Sequence, residues 1–287
     1  MSGSEGPVSG RAPWTAAEAG RRIAVPRAGD DKYSRGVLGV VTGSDDYPGA
    51  AVLGVDAALH TGLGMVRYLG PRRAADLVLE RCPEAVILPG RVQAWLLGSG
   101  IDADHRDGGR TAQLGEALGQ GLPTVLDSGA LDLVSAAARP ELVVMTPHHR
   151  ELGRVLGVDG AVVAGDPGGW AIRAARGLGV CVLLKGGTTH IAAPDGTALR
   201  VEGATAWLAT AGTGDALGGI LGALLATRSA DLGRDPALLP ELAATAALLH
   251  AEAAAEAGRG GPFTVRGLCA ALPPVIARLL SGYAERR

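Results

Sequence analysis

The feature that most constrains the fold of this 287-residue chain is a series of short, mainly apolar runs at 37–41, 65–69, 85–88, 95–97, 124–126, 142–145 and 180–184. Runs this short and without polar alternation are buried on both faces, as the strands of a parallel sheet are. Stretches with helical spacing lie between them, at 50–60, 109–119, 149–156 and 168–178, and serve as right-handed crossovers. The pattern predicts an α/β fold: a single domain with a central, mostly parallel sheet flanked by helices. Segments 191–193 and 198–201, joined by Pro194-Asp195-Gly196-Thr197, read as a hairpin, and 236–257 and 264–280 as closing helices. Residues 1–29 carry Gly, Pro and Ser punctuation with little periodicity, so a flexible extension is expected there and the folded domain over 30–287. Within that extension, Trp14 and the patch 23–25 are the apolar groups able to dock.

Charge and composition exclude several classes. A formal net charge of −2 gives no general attraction to nucleic acid or to an anionic membrane, and neither is expected as a partner. Cys82, Cys181 and Cys269 are far apart in sequence and suggest neither a disulfide framework nor a zinc site. No signal-like apolar core precedes Asp30, and the longest apolar run, 217–226, is too short to span a bilayer, so a cytoplasmic protein is expected. Lys32 and Lys185 are the only lysines among otherwise arginine basic positions, and asparagine is absent. A lysine kept under such bias is a candidate for a role that needs a compact ammonium.

In open α/β sheets ligands gather at the carboxyl ends of the strands. There the chain places Gly98-Ser99-Gly100, Asp127-Ser128-Gly129, Thr146-Pro147-His148-His149-Arg150-Glu151 and Lys185-Gly186-Gly187-Thr188-Thr189. Each has a plain alternative: Gly100 shapes a turn, Asp127 caps a helix, Glu151 is a solvated first-turn carboxylate. Together they favour a site. The adjacent His148 and His149 have no second Cys/His cluster, so no metal-ligating residues are assigned, and His250 reads as a packed helix residue. The turn Gly212-Thr213-Gly214-Asp215, running into an apolar helix, completes the ring. Its glycines let successive N–H groups point one way and the helix adds its positive end, which suits a phosphate. Asp215 is then either a helix cap or a base that takes a proton from an attacking hydroxyl. A Walker loop and a dinucleotide glycine fingerprint are both missing.

Read in order, Lys32-Tyr33-Ser34-Arg35-Gly36, Gly43-Ser44-Asp45-Asp46-Tyr47-Pro48-Gly49-Ala50-Ala51, LLGSG at 96–100, LDSGAL at 126–131, TPHHRE at 146–151, LLKGGTT at 183–189 and GTGD at 212–215 resemble the ADP/ATP-dependent NAD(P)H-hydrate dehydratases, from about residue 30 to the end. The resemblance implies a ribokinase-like fold and repair of hydrated NADH or NADPH by nucleotide-dependent dehydration through a phosphorylated intermediate. It implies that Ala50, Gly100, His148 and Asp215 contact the hydrated nicotinamide nucleotide, with Asp215 catalytic. It implies that Lys185, Gly186, Gly187, Thr188, Thr189, Gly212, Thr213 and Gly214 hold ADP or ATP, with Mg²⁺ as cofactor. A homo-oligomer, a tetramer, follows by the same resemblance, as does a monofunctional enzyme without the epimerase domain often fused to this family. The chain departs from the family pattern where TPHPGE becomes TPHHRE, placing Arg150 before Glu151, where Glu202-Gly203-Ala204-Thr205 replaces an asparagine-containing segment, and where Gly267 replaces an aspartate. Two other readings stay open at this level: a ribokinase-like vitamin or sugar kinase that stops at phosphorylation, and a nucleotide-binding regulator without catalysis.

Overall fold

The structure is a computed structural model that describes residues 13–284. Its centre is an eight-stranded sheet built from β1 (Val37–Val41), β2 (Met65–Tyr68), β3 (Ala94–Leu97), β4 (Thr124–Leu126), β5 (Val143–Met145), β6 (Cys181–Leu184), β7 (Thr189–Ala192) and β8 (Ala198–Val201), in the spatial order β2-β1-β3-β4-β5-β6-β7-β8. Pairing is parallel from β2 through β6 and antiparallel from β6 to β8, where the hairpin expected from Pro194-Asp195-Gly196-Thr197 forms. The strand order reverses around β1, which opens a crevice at the carboxyl ends of β1 and β3.

Alternation along each strand divides the interior into two cores. Leu38, Val40, Leu96, Val125, Val144 and Leu183 face one layer, made of α2 (Pro48–Thr61), α8 (Thr213–Thr227), α10 (Leu239–Gly258) and α11 (Val265–Ala284). Val37, Val41, Leu97, Leu126, Met145 and Val182 face the other, made of α4 (Gly108–Gly119), α5 (His149–Leu156), α6 (Gly160–Gly165) and α7 (Pro167–Leu178). Burial of each large aliphatic side chain contributes roughly 1.5–3 kcal/mol, which is why strands of only three or four residues hold their place. A window of α11, Val265–Gly282, has the length and mean hydropathy of a membrane span, though Arg266 and Arg278 interrupt it and it is no continuous apolar run. Here that apolarity serves packing, because the helix lies against α10 and α2.

Two glycines bring α2 and α8 into backbone contact. A Cβ added at Gly219 would fall 2.1 Å from the carbonyl oxygen of Gly54, so no side chain can stand between these helices. One at Gly54 would lie 3.5 Å from the Asp215 carbonyl oxygen. This close approach fixes the start of α8 against α2.

Two expectations fail. The run at 85–88 does not become a strand; Val86 makes a single parallel bridge to Arg67, and Pro83 and Pro89, which lack donors, bound the segment. The expected flexible extension is ordered over its described part, while residues 1–12 lie outside the described residues. Thr15 and Glu18 form a reciprocal capping box at the start of α1 (Ala16–Arg22). Trp14, Ala19 and Ile23 are buried in the core shared with α10 and α11. The Trp14 indole donates to Thr245 Oγ1 at 3.3 Å, and the Arg228 guanidinium donates to the carbonyls of Arg22 and Ile23 at 3.0 and 3.1 Å. Sequence periodicity was weak here because the helix spans only seven residues. Helix α3 (Arg72–Arg81), which packs on α2, had no expected counterpart at all.

Candidate active site

The polar residues at the strand ends converge. β1 is followed by Gly43, whose N–H donates to the Ser99 carbonyl at 2.7 Å. Gly100, beyond β3, is left-handed (φ 67°), and a Cβ there would sit 2.5 Å from Ala50 Cβ. Gly100 is therefore both a turn residue and the close neighbour of the start of α2, and the structure brings together two of the expected substrate contacts, Ala50 and Gly100.

Asp127 ends β4 and is almost fully buried. It does not cap the 3₁₀ stretch Ser128–Ala136 that follows, as the plain reading of the sequence had it. Its Oδ2 accepts from Ser99 Oγ at 2.9 Å, and its Oδ1 accepts from Thr146 Oγ1 at 2.7 Å and from Lys185 Nζ at 2.9 Å. Burial opposes its ionisation, but the Lys185 ammonium and the three donors prevail and hold its pKa below the usual value. The Lys185 ammonium, desolvated yet faced by Asp127, Glu151 and Asp215, is held in its charged form, with Glu151 Oε2 at 3.8 Å.

His148 starts α5 in an unusual way. Its Nδ1 accepts from the N–H groups of Arg150 and Glu151 at 3.1 and 3.2 Å, while Glu151 Oε2 accepts from the His148 N–H at 2.8 Å. A histidine thus plays the serine part of a capping box. The geometry assigns the ring proton to Nε2, and burial lowers the pKa despite the Glu151 charge, so the ring is neutral. Arg150, the departure from the family pattern, leaves this cap intact because the cap uses only its backbone N–H.

The turn Gly212–Asp215 is closed by Thr213 Oγ1, which lies 2.9 Å from the carbonyls of both Leu208 and Thr210. Gly212 has φ 93° and opens α8 as its N-cap. An ideal Cβ on Gly214 would lie 3.6 Å from Lys185 Nζ, so the lysine points at the turn. Asp215, in the first turn of α8, makes no cap hydrogen bond among the described contacts; its pKa is raised to about 7 by burial first and the Asp127 charge second, against Lys185. Below the turn, His250 of α10 is buried, its Nε2 has no hydrogen-bond partner, and burial pushes its pKa down to about 4. Gly186 and Gly187 are exposed and Thr188 and Thr189 half-buried, in the bend from β6 to β7 just beyond Lys185. The short 3₁₀ turn Ala206–Leu208 leads into the site and leaves Trp207 48% exposed.

Sequence reasoning named Ser99, Asp127 and Thr146 as punctuation but not as one cluster. The available signal was a charged residue directly after a fully apolar central strand. Beside these residues runs a groove of about 650 Å³ that shares Tyr47, Gly100 and Glu151 with the site and continues past Asp102, Asp104 and Arg154. Among the described residues, no group of three or more His, Cys, Asp or Glu side chains could hold a metal. Asp127 is already occupied by three donors. The donors present do not make a resident Mg²⁺ site, and an ion here would enter on the phosphates of a nucleotide.

A family model described as NAD(P)H-hydrate dehydratase matches residues 38–262. The bifunctional NAD(P)H-hydrate repair enzyme Nnr of Corynebacterium glutamicum is 38% identical over 263 residues, covering 82% of this chain and 45% of that protein. This chain thus spans about half the length of that relative. The ADP-dependent (S)-NAD(P)H-hydrate dehydratase of Neisseria meningitidis is 35% identical over 211 residues, covering 68% of this chain and 71% of its own. Among solved structures, the ADP/ATP-dependent NAD(P)H-hydrate dehydratase of Bacillus subtilis, co-crystallized with ATP/Mg²⁺, superposes with a TM-score of 0.80 at 26% identity, covering 93% of this chain and 98% of that one. A ribokinase-like superfamily protein of Enterococcus faecalis, at 22% identity, gives the same TM-score and shows the fold alone, covering 93% and 95%.

Proposed function

Since this chain belongs to the NAD(P)H-hydrate dehydratase family, we propose that it dehydrates the S-form of hydrated NADH or NADPH back to the reduced cofactor at the expense of ADP or ATP. The observation that carries this reading is a half-buried carboxylate, Asp215, at the N-terminus of a 15-residue helix, with the Lys185 ammonium held against the same turn. Hydroxide leaves a ring poorly at neutral pH, and a phosphate leaves well. The ring hydroxyl of the hydrate attacks the terminal phosphorus of the nucleotide, the bond to the remaining nucleotide breaks, and the hydroxyl proton passes to Asp215. The ring nitrogen then expels the phosphate and the neighbouring carbon loses a proton, which restores the double bond.

In this reading the amides of Gly212, Thr213 and Gly214 receive the transferring phosphoryl group and Lys185 offsets its charge, each such donor lowering the barrier by ~3 kcal/mol. Magnesium carried in on the nucleotide would offset the charge of its phosphates, and no side chain of this site is assigned to hold it. Gly186, Gly187, Thr188 and Thr189 border the nucleotide. Ala50, Gly100 and the neutral His148 ring, whose Nε2 lies 3.7 Å from Glu151 Oε2, line the side of the hydrate. A pKa of about 7 leaves much of Asp215 ionised at neutral pH, where a base is needed.

The test is incubation of purified protein with each hydrate and each nucleotide. Recovery of the absorbance of reduced nicotinamide, with release of inorganic phosphate, supports the dehydratase. A stable phosphorylated product makes the chain a kinase instead, and nucleotide binding without turnover makes it a regulator.

A further inference from the structure

The three donors to Asp127 come from three other strand ends: Ser99 after β3, Thr146 after β5 and Lys185 after β6. One carboxylate therefore ties together four neighbouring strands where the sheet meets the site. The backbone turns away at once, since Ser128 takes a left-handed conformation (φ 46°) that non-glycine residues rarely adopt, and the Asp127 side chain stays over the sheet end. A plain helix cap would need neither feature. Beyond Lys185 lies the Gly214 turn, 3.6 Å from the ammonium when measured to an ideal Cβ. The charged groups that face Asp215 are Asp127 from the end of β4 and Lys185 from the end of β6. His250 of α10, the titratable side chain below the turn, is neutral.

We infer that Asp127 is the positioning residue of this site: anchored by Ser99 and Thr146, it aims the Lys185 ammonium at the Gly212–Asp215 turn and supplies the fixed negative charge that Asp215 faces. It touches no substrate in this arrangement. Its influence runs through Lys185, which it orients, and through Asp215, whose ionisation it disfavours as one carboxylate does another nearby. The inference rests on the reading of Asp215 as the base.

The experiment follows the Asp215 carboxylate by carbon NMR in aspartate-labelled protein without ligands, its resonance identified by its loss in Asp215→Asn. The wild-type midpoint is expected near the raised value of about 7. Asp127→Asn removes the facing charge, and the Asp215 midpoint falls by about one unit or more. The acid limb of hydrate turnover moves down with it, and the apparent nucleotide constant rises because Lys185 loses its anchor. Asp127→Glu keeps the charge and restores the high midpoint. Ser99→Ala removes one hydrogen bond, keeps the charge, and leaves the midpoint in place. An unmoved Asp215 in folded Asp127→Asn overturns the inference. So does a fall of similar size in Ser99→Ala or Asp127→Glu, which would trace the effect to packing; if Asp127→Asn does not fold, Asp127→Ser removes the same charge in a smaller side chain, and an unmoved Asp215 midpoint there overturns the inference. If these titrations hold in a protein that turns over no hydrate, the carboxylate pair stands and the dehydratase reading fails.

Discussion

Asp215 is an acid in a place that favours its neutral form, and the pH dependence of both activity and stability follows. Its unfolded value is near 3.8 and its folded value about 7. The fold favours the protonated form, so this contribution to stability is complete below pH 3.8, declines as pH rises, and is gone above about 7. Asp215→Asn cannot accept a proton, and turnover is expected to fall by about 10²–10⁴-fold. The same variant is expected to be more stable than wild type at alkaline pH, by on the order of 2 kcal/mol once solvent screening is counted, and little changed near pH 4. Thermal midpoints across pH check this; equal midpoints at both ends would show that Asp215 is not held neutral. At this scale the placing of Lys185 and Asp215 at one end of the sheet was legible, because Lys185 stands with two glycines after an apolar strand and Asp215 closes a glycine turn that opens an apolar helix. Asp127 was placed in the ring with a cap as its alternative, but its partners were not legible, because they lie 28, 19 and 58 residues away and meet it only through the sheet.

Among the elements, the pair α2 and α8 sets the geometry of the site. Gly219 has no room for a methyl group against the Gly54 carbonyl, so Gly219→Ala is expected to push α8 from α2 and to cost about 1–3 kcal/mol. Asp215 would move relative to Ala50 and Gly100. Turnover should therefore fall further than the loss of folded protein explains, whereas Gly115→Ala, open on α4, should be neutral in both. Specific activity corrected for the folded fraction separates the cases. The strands were legible from their apolar runs, with one exception: 85–88 is apolar enough but lies between prolines and finds a partner only at Val86. The helices α1 and α3 were not expected: α1 spans only seven residues, too few turns for a 3.6-residue period to stand out, and α3 sets a narrow apolar stripe among Arg72, Arg73, Asp76, Glu80 and Arg81.

For the molecule as a whole, the sheet and two helical layers were readable in outline, since parallel strands separated by helices admit few topologies. The ordered start was not, because nothing local in 13–29 records that Trp14 and Ile23 find a core supplied by α10 and α11. A chain shortened to begin at Asp30 loses both buried side chains, each worth roughly 1.5–3 kcal/mol, and strips Arg228 of its carbonyl acceptors. Its thermal midpoint is expected to fall by several degrees. Turnover at a temperature where it remains folded is expected to match the full chain, and a loss there would place the segment in the chemistry. The tryptophans carry a different consequence. Trp14 and Trp95 are shut away from solvent and Trp170 is half-buried on α7 beneath Arg173, while Trp207 stands half in water on the turn that leads to Gly212. The protein thus has an optical reporter at the mouth of its own site: filling the turn changes the surroundings of the Trp207 indole, so occupancy can be read as a change in emission with unlabelled ligand, and its loss in Trp207→Phe assigns the signal.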